Sequence, residues 1–422
     1  MGRFWDKISG RTRINPSKLL EPAFVKGSLP NLNLIPMNLN KRPIYTNWNT
    51  QNAVETGYKA SVFVYSCVTR LMKAAASVPW VVKELNRQGE WEVKPNHDIA
   101  KIFRSPNPFS TWQNQIETVT SHLNLGGNAI WFKARAAGKP KELWIIRPDY
   151  IKPRLDTSNY IAGYEYTLNG RMQFIPFEDI IHVLFVDPAN PWWGLAPMKA
   201  ASKVVDTDVE SVNFNKVSMQ NRGVPDGILA FKDKLTEPQF EEAKKNIREG
   251  YQGATNARTP MVLSGEAKWQ RTSQTPAELD FLKSQSWTAE RICSVFGVPP
   301  PLIGINMTTA LANISTARQI FWLDTLIPYL NDLKDTLNHG LTSEWATDGT
   351  LMIDYDISNV QALQSLFTEK VKTGKDLWAM GVPFDEVNQR LALGFGPIPG
   401  GDVPWIPSTL QNADDISEDD FS

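Results

Sequence analysis

The chain has 422 residues, 44 Lys and Arg against 45 Asp and Glu, a formal net charge of -1 and 42% hydrophobic residues. Such a balance excludes binding to nucleic acid or membrane by bulk charge, so a role of that kind has to come from local patches or geometry. The length allows about two or three domains with sizeable cores. The two cysteines, Cys67 and Cys293, lie in apolar helical contexts, where buried free thiols are expected rather than a disulfide or metal site. Arg3, Lys7, Arg11, Arg13 and Lys18 near the N-terminus are not followed by the apolar core of a signal peptide or membrane span. Folding in the cytosol is therefore expected.

Residues 1–57 are rich in Asn and Pro without a sustained period and read as an arm that orders only against a partner or the body. A helix is expected over 58–77, burying Val64, Cys67, Val68, Leu71 and Ala75 and ended by Pro79. Two strands follow around the 86–89 turn, with Trp80 and Val82 on one face and Trp91 and Val93 likewise. Ser110 with Gln113 forms a capping box for a helix whose Ile116, Val119 and Leu123 share a face before Gly126-Gly127 stops it. Strands 128–135 and 142–147 pair across 137–139, and strands 164–168 and 172–175 across Asn169-Gly170, a type I′ turn signal. His182 lies on a further strand, 180–186, with no second ligand at metal spacing, and reads as packed or hydrogen-bonded.

From Pro197 to Arg222 no breaker interrupts a helix about 39 Å long at ~1.5 Å per residue. Ala201, Val205, Val212 and Met219 share a stripe, but Asp208 and Asn215 fall in it too. Either a long surface helix or one packed against copies of itself fits that pattern. The unit 223–274 holds a strand at 227–231, a helix opened by Thr236 with Gln239, and strands near 261–263 and 268–271. Lys244, Lys245, Arg248 and Arg258 make it locally basic, ordinarily a solvated face.

The next helix starts at a capping box of Thr275 and Glu278 with Pro276 at its first position, buries Leu279, Leu282, Ala289 and Phe296, and stops at Gly297 before three prolines. Between Arg291 and Arg318 no charged side chain occurs, and 304–313 reads as a small, neutral loop. Ile320, Leu323, Ile327, Leu330 and Leu337 then share a helical face, which Pro328 should kink. A strand at 351–355 leads to a helix over 360–372 and two short helices around Leu377 and Val387. The glycine-rich 394–401 has prolines and no following helix, which rules against a phosphate cradle. Asp414, Asp415, Glu418, Asp419 and Asp420 close the chain as an acidic tail.

Walker, Gly-x-Ser-x-Gly, His-Glu-x-x-His and paired Cys-x-x-Cys motifs are all missing from the sequence. No catalytic residue, metal ligand or cofactor is assigned; the remaining enzyme reading is a cytosolic enzyme whose carboxylate chemistry has no motif.

An ordered series of short motifs runs from about Tyr58 to Gly401: Val64-Tyr-Ser-Cys-Val68, Ser105-Pro-Asn107, Gly127-Asn-Ala129, Leu143 with Arg147-Pro148, Asp179-Ile-Ile-His182, Gly194-Leu-Ala-Pro197, Asn221-Arg-Gly-Val-Pro225 with Gly227, and Phe296-Gly-Val-Pro-Pro300 with Leu302 and Gly304. In order and spacing the series resembles tailed-bacteriophage portal proteins of the lambda-like siphophage and gene transfer agent type. The resemblance implies an α+β, multi-part subunit: wing 58–196, first stem helix 197–222, clip 223–274, second stem helix 275–297, tunnel-loop region 298–314, kinked wing helix and return strand 315–359, crown 360–397, and tail 398–422. It also implies a homo-oligomeric ring of twelve at one capsid vertex, assembled in the host cytoplasm and retained in the virion, with no membrane. Such a ring is a non-enzymatic channel for double-stranded DNA during packaging and ejection. Its implied partners are the large terminase, a head-completion or adaptor protein, and the major capsid protein or scaffold.

Mapped onto this chain, Asn306, Met307, Thr308, Thr309 and Asn313 would face DNA. Lys244, Lys245, Arg248 and Arg258 would dock partners, and Val205, Val212 and Met219 would contact neighbouring subunits. A neutral loop suits sliding, because each phosphate neutralised by Lys or Arg adds salt-sensitive affinity that resists movement.

Overall fold

The computed structural model describes residues 46, 48–156, 161–220, 227–231, 236, 238, 267–271, 281–305, 311–396 and 398–404, all within a unit spanning 45–422. The expected arm (up to residue 45), the capping box at 275–278 and the acidic tail lie outside the described residues.

A turn of helix capped by Asn49 (Thr50–Asn52) runs into a π-helix, Ala53–Tyr58. Ser61, with extended backbone and its Oγ accepting from the Val64 N–H, caps α1 (Val62–Ala76). The five residues expected inside are buried there. β1 (Trp80–Leu85) and β2 (Trp91–Val93) form the expected hairpin. The other edge of β1 pairs antiparallel with a strand much later in the chain, Leu351–Tyr355. A short helix that the spacing does not signal, α2 (Asp98–Arg104), is capped by the Nδ1 of His97.

α3 (Trp112–Gly126) starts one residue later than its capping box suggests. Thr111 accepts from the Asn114 N–H, while Ser110 is taken up by Asn107, whose Oδ1 accepts from both its N–H and its hydroxyl. Gly127, at φ 74°, closes the helix in the left-handed conformation. β3 (Asn128–Ala136) and β4 (Lys139–Ile146) turn through Ala137 and Gly138, both at positive φ. β5 (Ile151–Arg154), β6 (Gly163–Leu168) and β7 (Arg171–Pro176) make a second sheet, with Asn169 and Gly170 at positive φ in the predicted turn. β8 (Ile180–Leu184) lies on the free edge of β3. Ile130, Ile151, Tyr164, Ile175 and Ile180 fill a small core beside these two sheets.

α4 (Pro197–Gln220) is the long helix; β9 (Gly227–Phe231) and β10 (Ala267–Arg271) pair antiparallel between it and α5 (Phe281–Val295). α6 (Leu311–Ile320) continues through a π-helix, Phe321–Leu326, into α7 (Ile327–Leu341). This π turn overturns the expected stripe at its start. Ile320 and Leu323 are 47% and 45% exposed, and the buried face runs instead through Phe321, Trp322, Leu326, Tyr329, Leu330, Leu333, Leu337 and Leu341. The Ile327 N–H bonds back to the Trp322 carbonyl, one residue further than an α-helix reaches, and Pro328 follows without a donor of its own. The extra residue rotates everything before it onto another face.

β11 (Leu351–Tyr355) completes the sheet with β1, and α8 (Gln361–Ala379) and α9 (Phe384–Leu391) follow. The expected break after Lys372 is absent and Leu377 lies inside α8. Gly374 is buried in mid-helix because α9 packs there: a Cβ would stand 3.2 Å from Val387 Cγ1 and 3.3 Å from Leu391 Cδ1. The main core joins α1, α3, the inner half of α4, α5 and α7. Each fully buried Leu or Val on these faces contributes about 1.5–3 kcal/mol relative to exposure.

Candidate functional site

Several of the short motifs meet at one joint. The Asn128 Nδ2 donates to the carbonyls of Gly126 (2.8 Å) and Gly194 (3.2 Å), which fixes the amide's orientation. Its Oδ1 accepts from the Gly194 N–H at 2.7 Å and faces His182 Nε2 at 3.0 Å. Nε2 must therefore carry the proton, and Nδ1 accepts from the Tyr164 hydroxyl at 3.1 Å. Burial holds His182 at about 4, neutral at pH 7, and pushes Tyr164 up to about 12. As expected, His182 is a hydrogen-bonded structural group with both ring nitrogens engaged. A neighbouring joint uses Asn107 and Gln115, whose side-chain amides both donate to the Leu143 carbonyl. The first joint aims the start of α4.

α4 and α5 pack side by side. On the inner half of α4, Met198, Ala201 and Val205 are buried in the same core as Ile292, Cys293 and Phe296. Val205 is 0% exposed within its own chain, which corrects its assignment to a contact between subunits. Asp208, one of the two polar residues in the stripe, is buried as well: the Ser61 Oγ donates to it at 2.6 Å. Burial raises its carboxyl, and the serine's bond opposes that rise. The adjacent Asp206 binds the chain entering from the N-terminal side. It accepts from the Thr46 N–H (3.0 Å), the Thr46 hydroxyl (2.8 Å) and the Trp48 indole N–H (3.3 Å).

Further along α4 the stripe emerges from this core at Val212. Val212, two turns beyond Val205, is 49% exposed, Phe214 is 53% exposed, and Asn215 is half-buried. On α5, Trp287 is 53% exposed with the Arg291 guanidinium 3.3 Å from its ring centroid. The side chain of Met219 lies outside the described residues, as do Lys244, Lys245, Arg248 and Arg258.

α5 stops at Gly297, φ 65°, where the Thr325 hydroxyl donates to its carbonyl at 2.7 Å and ties the helix end to the π turn. Pro300–Ile303 forms a 3-10 turn closed by Gly304 at φ 87°. Leu302, Ile303 and Ile305 pack against the main core. Helix resumes at Leu311, so Asn313 is an exposed helical residue rather than part of the loop. Leu311 and Ala312 are strong helix formers, and nothing in the run breaks their pattern. The other expected loop residues, Asn306, Met307, Thr308 and Thr309, lie outside the described residues. Among the described residues no group of three or more His, Cys, Asp or Glu is placed to hold a metal, and no helix is long and apolar enough to cross a membrane. Asp206, Asp208 and the approach of Cys67 to Cys293 carried no sequence signal, because each pairs residues more than 140 positions apart.

The phage portal protein family model matches residues 63–382. The portal protein of Enterobacteria phage HK97 is 23% identical over 348 residues, covering 81% of this chain and 80% of the phage protein. Two solved structures are 25% identical. A chain in the neck of an empty gene transfer agent particle, computed with C6 symmetry, has a TM-score of 0.65, covering 85% of this chain and 96% of its own. One in the neck of the native particle, computed with C12 symmetry, has a TM-score of 0.61, covering 83% and 96%. The chain belongs to the phage portal protein family.

Proposed function

We propose that copies of this chain form a ring of twelve at one capsid vertex, through which double-stranded DNA enters during packaging and leaves during ejection. α4 and α5 line the stem, 223–274 forms the clip where terminase and head-completion proteins dock, and 306–310 reaches into the channel. α8 belongs to the crown, and the ring's outer surface meets the major capsid protein or scaffold. No chemical step is assigned, in keeping with a structural family. The observation that carries this reading is the single stripe on α4, covered by the chain's own core at Val205 and bare at Val212. A valine that stands exposed on the same face as a buried one fits burial by a neighbour. The particle necks in which the two structural relatives sit, with their six- and twelvefold symmetry, support the ring.

Val212→Asp is the test of assembly. Native mass measurement should find the wild-type chain as a large ring and the variant as small species, while the subunit's urea midpoint changes little, since surface substitutions ordinarily stay within about 0.5 kcal/mol. A variant ring at wild-type yield, or a wild-type chain that never exceeds a tetramer, would remove the support for this interface.

Thr308→Lys tests the channel. A ring of lysines that neutralises about 6 phosphates has a log-log salt slope near -5, so DNA is held about 10³-fold more tightly at 50 mM than at 200 mM salt. Packaging by variant particles should slow most at low salt, with assembly intact. Wild-type packaging rates at every salt concentration would place this segment away from DNA.

A further inference from the structure

The two cysteines of the chain lie 226 residues apart in sequence, yet their sulfurs are 3.9 Å apart. Cys67 sits in the middle of α1 and Cys293 near the end of α5, and both are fully buried free thiols. Their neighbours along the chain are buried and apolar: Val64, Val68 and Leu71 on one helix, Ala289 and Ile292 on the other, with Phe296 just past its end. Two sulfurs in van der Waals contact are about 2 Å from the disulfide bond length, a gap that small shifts of two packed side chains can close.

We propose that Cys67 and Cys293 form a latent disulfide, free while the protein is made in a reducing cytosol and closed by a peroxide once it meets an oxidising environment. The bond would fasten α5, one of the two paired helices, to α1 in the body of the subunit. Closure would cross-link a loop of more than two hundred residues, where the chain-entropy gain from a disulfide is near its upper range. This inference does not depend on ring formation.

The reaction balances with hydrogen peroxide as oxidant. The Cys67 S–H donates to the Cys293 sulfur, which draws the Cys293 thiol below its ordinary range, while the same contact and burial push Cys67 up. The sulfur that accepts this bond, that of Cys293, is the one taken to attack. Its thiolate attacks one peroxide oxygen, the O–O bond breaks, and a sulfenic acid forms as the released hydroxide takes a proton to become water. The sulfur of Cys67 then attacks the Cys293 sulfur, the S–O bond breaks, and a second water leaves. Two thiols lose two electrons and two protons, and one peroxide becomes two waters. Because both sulfurs are buried, the rate is set by local opening of the α1–α5 contact rather than by thiolate supply.

The experiment treats the purified full-length chain with millimolar hydrogen peroxide, then counts thiols after denaturation and maps peptides without reduction. Wild type should lose both thiols together and yield one intrachain peptide pair containing Cys67 and Cys293. Its Tm should rise by about 4 °C, reversed by dithiothreitol. Cys67→Ser and Cys293→Ser should show no gain in Tm. Two thiols still free after peroxide exposure that fully oxidises a solvent-exposed cysteine peptide would overturn the proposal. So would their separate conversion to sulfinic acid, or cross-links between chains only. The wild-type readouts stand by themselves if either serine variant folds poorly.

Discussion

Gly194→Ala lowers folding stability by about 3 kcal/mol or more and sharply reduces the yield of soluble protein. A Cβ at this position would lie 2.1 Å from the Gly127 carbonyl oxygen, 2.7 Å from the Phe185 carbonyl oxygen and 2.9 Å from the Phe185 nitrogen. All three are backbone atoms, so no side chain can swing aside. Relief requires separating the end of β8 from the α3–β3 turn. That strains the bonds from the Gly194 N–H to Asn128 (2.7 Å), from the Leu195 N–H to Phe185 (3.0 Å) and from the Phe185 N–H to Gly127 (2.9 Å). Overpacking costs about 1–3 kcal/mol and each lost hydrogen bond about 1. Gly138→Ala is the matched control: its φ is +82° but nothing lies within 4 Å of the new Cβ, so only the left-handed strain of about 1 kcal/mol applies. Urea midpoints of the two variants at equal m-value check the contrast. Equal midpoints would mean that the joint at Gly194 yields freely.

Glu344→Ala destabilises the chain by about 3 kcal/mol at pH 7, because it leaves a buried cation without its counter-charge. Lys133 Nζ, on a side chain only 5% exposed, donates to Glu344 at 2.7 Å and to the Gly340 carbonyl at 2.9 Å. The Arg135 guanidinium binds the same carboxylate through two nitrogens at 2.8 and 2.9 Å, and its Nε reaches Asp179 at 2.6 Å. β3 is thereby fastened both to the end of α7 and to the turn before β8. The bonds from Arg135 first and Lys133 second, against the cost of burial, hold the Glu344 carboxyl at about 2. Its folded value lies below the ordinary 4.5, so its contribution is fully present above pH 4.5 and is lost as pH falls from there toward 2. The gap in urea midpoint between wild type and Glu344→Ala should be constant from pH 7 to 5 and narrow between pH 4.5 and 3. A gap that stays constant down to pH 3 would show that the carboxylate contributes packing but no charge.

Local signals recovered most of the elements. The type I′ turn at Asn169-Gly170, the stop at Gly127 and the buried faces of α1 and α3 follow from short-range sterics and period, which a single sequence displays. The failures have separate physical causes. The capping-box pattern at Ser110 was outcompeted by Asn107, which claims that hydroxyl from three residues away. The stripe beginning at Ile320 assumed a uniform 100° step, and a π turn ahead of Pro328 broke it. α8 runs on past the expected end at Lys372, and its buried Gly374 is where α9 packs against it.

What the sequence by itself determined was the family, through an ordered series of motifs, together with the start and unbroken run of α4 and the charge-free run after Arg291. Which half of α4 is covered by its own chain was decided by the tertiary structure alone. Val205 and Val212 are the same residue seven positions apart on one helical face, so no local property distinguishes them. Only the arrival of α5 and α1 beside the first buries one valine and leaves the other bare. The same holds for Asp208 and for the two cysteines. Their partners come from segments 147 and 226 residues away, and only the folded chain brings them within bonding distance.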